Sequence, residues 1–281
     1  MQLGIRLHDT EPGTLEERLL AAKGQGFTCV HLALSKTITE HSVDPGALTP
    51  GLAMHLKKIF SKHDMDIAVL GCYLNLANPD EKALKEIQEA YLAHVRFAAH
   101  LGCGVVGTET GAPNTSYTYE EACKSEEALD TFIKNLRPVV ECAEKMGVLV
   151  AIEPVWCHIV HNSKRALRVL EAIHSPNLRI ILDPVNLLSS DNYMDYEKVI
   201  EEAVEDLGDY VEVMHMKDFR FENGKVVSVA AGTGVMNYDK LLGFLKTKKP
   251  FIHAALEDTT PDNAAAAREF LEKQYRKAEI N

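Results

Sequence analysis

Short apolar runs alternate with longer amphipathic ones along the whole chain. Leu3–Leu7, Cys29–Leu34, Ile67–Leu74, Cys103–Thr108, Val148–Val155, Leu178–Asp183, Val211–Met216 and Phe251–Leu256 are rich in Val, Ile and Leu and read as strands. Between and after them, apolar positions recur at helical spacing. The spacing predicts helices over Thr14–Lys23, Pro50–His63, Pro79–Leu101, Ser125–Met146, Ser163–Ile173, Tyr196–Leu207, Asn237–Thr247 and Pro261–Lys277. Thr14 with Glu17 forms a capping-box signature, and Gly147 marks a helix stop. Pro138 is expected to kink or break the helix that contains it. Asn223-Gly224 within Phe219–Val229 is a hairpin signal, and the Gly/Pro/Asn/Ser-rich segment Gly111–Tyr119 is a loop long enough to cover something.

Strands that are apolar on both faces, each followed by a helix, indicate a parallel sheet buried on both sides. Eight such pairs close into a (β/α)8 TIM barrel without leaving an edge, and about 250 residues suffice for one. A doubly wound open sheet is the weaker alternative, because no Gly-rich fingerprint follows the first strand. No linker or composition shift divides the chain, so residues 1–281 are expected to form a single domain.

Charge narrows the partners. With 30 Lys and Arg against 41 Asp and Glu, the formal net charge is -11, which argues against nucleic acid, whose phosphates call for a basic stripe. One local Arg or Lys could still hold a sugar phosphate. The six cysteines (Cys29, Cys72, Cys103, Cys123, Cys142, Cys157) form no C-x-x-C pair and are expected to be reduced and mostly buried. No basic-then-apolar leader opens the sequence, and no apolar run approaches the roughly 18 residues of a membrane span. A soluble, cytoplasmic protein without a membrane partner is the expectation.

Four consecutive predicted strands finish on a residue with metal-ligating chemistry: Glu153 in VLVAIEPV, Asp183 in LRIILDP, His215 in YVEVMHMKD and Glu257 in FIHAALED. Each alone has an ordinary structural reading, as a loop cap, an Asx turn, a core histidine or a solvated carboxylate. Together, at the C-terminal rim of one barrel, they would converge on one mouth. Unit charges about 4 Å apart repel by roughly 4 kcal/mol at an effective dielectric of about 20, so three facing carboxylates need protons or a cation. Oxygen-rich ligation with one nitrogen and no thiolate suits Mn²⁺ or Mg²⁺, with Co²⁺ or Zn²⁺ as alternatives.

These motifs, with Gly232-Thr233-Gly234 and Tyr238 after the seventh strand, resemble the sugar phosphate isomerase/epimerase family, the xylose isomerase-like TIM barrels. That group includes ketose 3-epimerases, hydroxypyruvate isomerase, inosose dehydratase and the endonuclease IV branch. The resemblance implies that Glu153, Asp183, His215 and Glu257 hold one divalent metal and that Glu153 and Glu257 act as catalytic acid and base. It also makes a homo-oligomer plausible. Where several epimerases carry a His three residues after the strand-six Asp, this chain has Asn186, which can hydrogen-bond a hydroxyl but not donate a proton in the same way. The additional histidine ligands of the endonuclease branch are not apparent.

Softer substrate-binding candidates sit at other strand ends: Arg6 and His8, Glu109, Trp156 and His158, and Lys217. Lys217 is equally read as an ion-pair partner of Asp218 or Glu153. His31 and His253 fall early in their predicted strands and read as structural. His41, His55, His63, His94, His100, His161 and His174 read as solvated. The leading reading is a metal-dependent isomerase or epimerase of a small sugar, polyol-derived ketone or sugar phosphate. The alternatives are a dehydratase of an inosose or dehydroshikimate type using the same site, and a non-catalytic sugar-binding barrel.

Overall fold

The computed structural model describes residues 1–279. In chain order it runs β1 (Gln2–Arg6), α1 (Leu15–Gly24), β2 (Cys29–Leu32), α2 (Leu34–Thr37), α3 (Pro50–Lys62), β3 (Asp66–Gly71), α4 (Glu81–Leu101), β4 (Val105–Glu109), α5 (Glu126–Met146) and β5 (Leu149–Glu153). It continues with α6 (Ser163–Ile173), β6 (Leu178–Leu182), α7 (Tyr196–Leu207), β7 (Val211–Met216), β8 (Asp218–Glu222), β9 (Lys225–Val229), α8 (Asp239–Lys248), β10 (His253–Leu256) and α9 (Ala264–Lys277). Eight strands close a parallel barrel in the order β1-β10-β7-β6-β5-β4-β3-β2. The (β/α)8 architecture expected from the alternation is the one observed.

Local chemistry explains most of the boundaries. The Thr14 hydroxyl accepts from the Glu17 N–H while Glu17 accepts from the Thr14 N–H, completing the capping box of α1. Gly102 and Gly147 end α4 and α5 in left-handed conformations, at φ 84° and 67°. Asn223 and Gly224 both have positive φ, as a tight turn joining β8 to β9 requires.

Three strands stop two or three residues short of their apolar runs. β2 ends at Leu32, not Leu34; β3 at Gly71, not Leu74; β5 at Glu153, not Val155. Burial continues past the hydrogen-bonded ladder: Leu34 is buried in the short helix α2, Cys72 and Val155 in loops. Hydrophobicity therefore overstates strand length. At β10 the opposite end is trimmed, because Phe251 is 81% exposed and the strand begins at His253. Pro138 does not break α5, which runs uninterrupted from Glu126 to Met146. Pro138 and Lys134, whose carbonyl it leaves without a donor, lie on the exposed face, so water can satisfy that group. His63 is buried rather than solvated and lies 3.3 Å from Glu16. All six cysteines are free thiols, four of them buried.

The core has two parts because strand side chains alternate between faces. One face of the strands packs on the helices in a single large cluster that includes Ile5, Leu32, Leu70, Val106, Ile152, Ile180 and Met214. The other fills the barrel with a small cluster of Val69, Val105, Ala151, Ile181 and Val213. Two residues further along these inward series come Gly71, Gly107, Glu153, Asp183 and His215. The barrel's apolar plug is thus capped at its C-terminal end by chemistry.

Candidate functional site

Glu153 is the last residue of β5, Asp183 follows β6 directly, His215 is the penultimate residue of β7 and Glu257 follows β10 directly. Their ligand atoms all lie within 4.8 Å of one another, and all four residues are buried. His215 Nδ1 is 3.1 Å from Glu153 Oε1 and 3.2 Å from Glu257 Oε1. Asp183 Oδ1 is fixed by the backbone N–H groups of Val185 and Asn186, at 2.9 and 3.1 Å. Asp183 and His215 form the fully buried floor.

Above this floor lies a cavity of ≈ 480 Å³, within the size range of small-molecule sites. Its walls follow the same inward alternation: Arg6 and His8, His31 and Ala33, Tyr73, Glu109, Glu153 and Val155, Lys217, Glu257. Lys36, Cys157, His158 and Asn186 complete the lining with Tyr117, which the loop after β4 delivers. That loop is anchored by Asn75, whose Nδ2 donates to the carbonyls of Ala112 and Asn114 at 2.8 and 2.7 Å.

Two sequence candidates serve the acidic cluster directly. Lys217 Nζ is 3.0 Å from Asp183 Oδ2 and 3.1 Å from Glu257 Oε2, and donates to Asn186 Oδ1 at 2.7 Å. It pairs with neither Asp218 nor Glu153; the Asp218 carboxylate instead accepts from the N–H groups of Phe219, Gly232 and Met236. Asn186 Nδ2 donates to Glu153 Oε1 at 2.8 Å, so its carboxamide bridges Lys217 and Glu153. Arg6 Nη1 stands 3.6 Å from Glu257 Oε1.

The remaining candidates divide. His8, Glu109 and His158 line the cavity, on opposite sides of it. Glu109 Oε2 accepts from the Tyr117 hydroxyl at 3.1 Å and lies 3.9 Å from His158 Nδ1. Trp156 is not part of the lining. Its indole is 41% exposed and packs against Tyr119 at 5.7 Å, because the chain after Pro154 turns its side chain outward. His31, read from sequence as structural, is in the wall, its ring 5.3 Å from that of His215 and 12° from parallel. Taking β2 two residues too long put His31 too deep. Tyr73 and Tyr117 were also missed, although the inward period-two register from Val69 leads to Tyr73.

The electrostatics follow from burial and neighbours. Burial pushes Asp183 up to about 6, with Lys217 working against it. Burial opposes ionisation of Glu257 too, but His215, Lys217 and Arg6 together hold its carboxyl well below the usual range. Burial disfavours charge on His215, yet Glu153 and Glu257 outweigh it and push the imidazole up to about 9. Burial and then Glu153 push Glu109 up to about 7. Burial brings His8 and His158 down to about 4 and, with His215 alongside, keeps His31 well below its ordinary value.

The donor set suits a divalent cation. It offers three carboxylates and one imidazole nitrogen with no thiolate, and the Lys217 ammonium offsets one of the three negative charges. The carboxylate charge left uncompensated is what a divalent ion would balance.

Comparison with known proteins bears on the fold and the family. The sequence matches no curated protein. Among solved structures the chain is similar to a D-tagatose 3-epimerase-like protein, 18% identical over 99% of this chain and 98% of that one, with a TM-score of 0.77. It is similar to the IolI protein with a bound zinc atom, 19% identical over 100% of both chains, TM-score 0.77. A third similarity is to the probable 3-DHS dehydratase AsbF, involved in petrobactin synthesis, from Bacillus anthracis, 16% identical over 97% and 99%, TM-score 0.74. Residues 19–274 match the family model described as xylose isomerase-like TIM barrel. The chain belongs to the xylose isomerase-like TIM barrel family.

Proposed function

We propose that the protein is a divalent-metal-dependent isomerase or epimerase of a small sugar or sugar phosphate, working by proton abstraction next to a carbonyl. The observation that carries this reading is the convergence of Glu153, Asp183, His215 and Glu257 within 4.8 Å beneath a cavity of ≈ 480 Å³. We assign these four as the metal ligands, with Mn²⁺ or Mg²⁺ as the ion. The bound ion would supply Lewis-acid polarisation of the substrate carbonyl.

Glu153 and Glu257 reach the centre from the ends of different strands, with His215 Nδ1 between them at 3.1 and 3.2 Å. One carboxylate takes a proton from the carbon beside the carbonyl, and the other returns one. Each such positioned transfer is typically worth 10²–10⁴-fold. Glu257 stays ionised at neutral pH, the state that proton abstraction needs. Asn186 holds Glu153 through Nδ2, and Lys217 holds Glu257 and Asp183, so both carboxylates are oriented before substrate arrives. His8, Glu109 and His158 are the proposed substrate contacts of the outer wall.

Incubation of the purified protein with ketoses in D₂O, with and without chelator, tests the reading. Metal-dependent incorporation of deuterium at the carbon beside the carbonyl is expected. Full activity after complete metal removal would refute it. Lys217 also supports a second reading: its buried ammonium could protonate a departing hydroxyl, as water elimination beside the same carbonyl requires. A product lighter by one water would select it.

A further inference from the structure

The hairpin after β7 has one edge that the protein leaves open. Asn223-Gly224 forms a two-residue turn, so the flanking Glu222 and Lys225 are a hydrogen-bonded pair, and bonded pairs then alternate along the ladder to Arg220–Val227 and Asp218–Val229. The backbone groups of the intervening residues point away from the ladder. On β8 the outward carbonyl of Phe219 accepts from the Val235 N–H at 3.0 Å. On β9 the outward N–H and C=O groups of Val226 and Ser228 have no backbone partner among the described residues. Little guards this edge: the sequence KVVSV holds no proline, its register with β8 has no bulge, and its one charge, Lys225, lies at the turn.

Apolar side chains surround the hairpin. Phe221 stacks on Tyr193 at 3.7 Å and 6°; Met194, next in the chain, is 77% exposed, Val235 is 61% exposed, and Phe221 and Val227 are exposed as well. An open strand edge ringed by exposed apolar groups marks an interface. Charge selects the occupant. The Asp218 carboxylate is turned inward onto N–H groups, which leaves Arg220, Glu222 and Lys225 as the hairpin's outward charges, two positive and one negative, in a chain of net charge -11. A second copy of this acidic chain can approach here without like-charge repulsion. The groove between α7 and α8, where Glu197, Glu201 and Glu205 face Lys240, gives a second copy no such approach.

We infer that β9 pairs antiparallel with β9 of a second copy of this chain, across a two-fold axis through Val227. In that register Val226 of one protomer and Ser228 of its partner exchange both backbone bonds, and the symmetry repeats the exchange. Lys225 falls opposite Val229, so the two ammonium groups stand about 14 Å apart along the ladder, beyond a physiological Debye length. The hairpin starts at Asp218, the residue after Lys217, which places the interface on the rim that carries the cavity. It does not depend on the reaction proposed there.

Sedimentation of the full chain, whose monomer mass is 31.2 kDa, tests the inference and is expected to show a dimer. Ser228→Pro removes an outward N–H without touching the ladder to β8, and Val227→Asp sets like charges opposite each other on the axis. Each is expected to weaken dimerisation roughly tenfold or more, with an unchanged circular dichroism spectrum. Glu205→Lys, in the groove between α7 and α8, is expected to leave dimerisation as in the wild type. Amide exchange needs no substitution: the Val226 and Ser228 amides, open to solvent in the monomer, are expected to be protected in the wild-type dimer. A wild type that stays monomeric at every concentration would overturn the inference. So would a dimer that tolerates both hairpin substitutions, or one in which the Val226 and Ser228 amides exchange freely.

Discussion

Asn186 donates from its carboxamide to Glu153 Oε1 at 2.8 Å, tying the loop after β6 to the end of β5. The partner oxygen of the same amide accepts from Lys217, so a neutral group separates an ammonium from a carboxylate and positions both. Partners of this kind commonly contribute 10–100-fold to metal affinity or activity. Asn186→Ala is expected to weaken Mn²⁺ binding and turnover within that range, with little change in thermal midpoint. Unchanged metal affinity and activity would show that the bridge positions nothing of consequence.

Removing charge from either proposed proton-transfer group should stop the chemistry and spare the fold. Glu153→Gln and Glu257→Gln each keep side-chain volume and hydrogen-bonding capacity at the strand end. Turnover is expected to fall by at least the 10²–10⁴-fold attributed to one positioned transfer, with an unaltered circular dichroism spectrum. Near-normal rates in either variant would remove that residue from the mechanism.

Cation binding should register as stability. A ligand that binds only the folded state adds about 2.7 kcal/mol at a hundred times its dissociation constant. Titrating Mn²⁺ into chelator-treated protein is expected to raise the thermal midpoint by several degrees. Asp183→Asn, which converts a fully buried carboxylate at the floor into an amide, should abolish most of that rise. A midpoint indifferent to Mn²⁺ in the wild type would count against a metal centre.

Glu109 gives the pH prediction. Burial beside Glu153 pushes its folded-state value up to about 7, above that of an unfolded glutamate. The folded state therefore holds the proton more tightly, and ionising Glu109 costs stability. That cost is absent below the unfolded value, grows as pH rises, and is complete once pH passes about 7. Glu109→Gln, which can still accept from Tyr117, is expected to stabilise the protein at pH 8 and to differ little from wild type at pH 5. Equal midpoints at both pH values would show that Glu109 carries no such penalty.

Much of the site was legible because sheet chemistry writes itself in period two. Glu153, Asp183, His215 and Glu257 each close an apolar run, and a closed barrel brings the ends of parallel strands to one rim. Trp156 and His31 exchanged places for reasons that no periodicity carries. The chain turns after Pro154 and sends the indole outward, while β2 ends two residues earlier than its apolar run, raising His31 to cavity level.

The sequence by itself determined the alternation of elements, the caps of α1 and α5, the turn between β8 and β9, and the four residues at the barrel's rim, because each depends on neighbours a few positions away. Only the tertiary structure decided that Lys217 pairs with Asp183 and Glu257, that Asn186 bridges to Glu153, and that His31 stacks on His215. Those contacts join strands far apart in the chain. Their partners are chosen by the closure and register of the barrel, which no local pattern encodes.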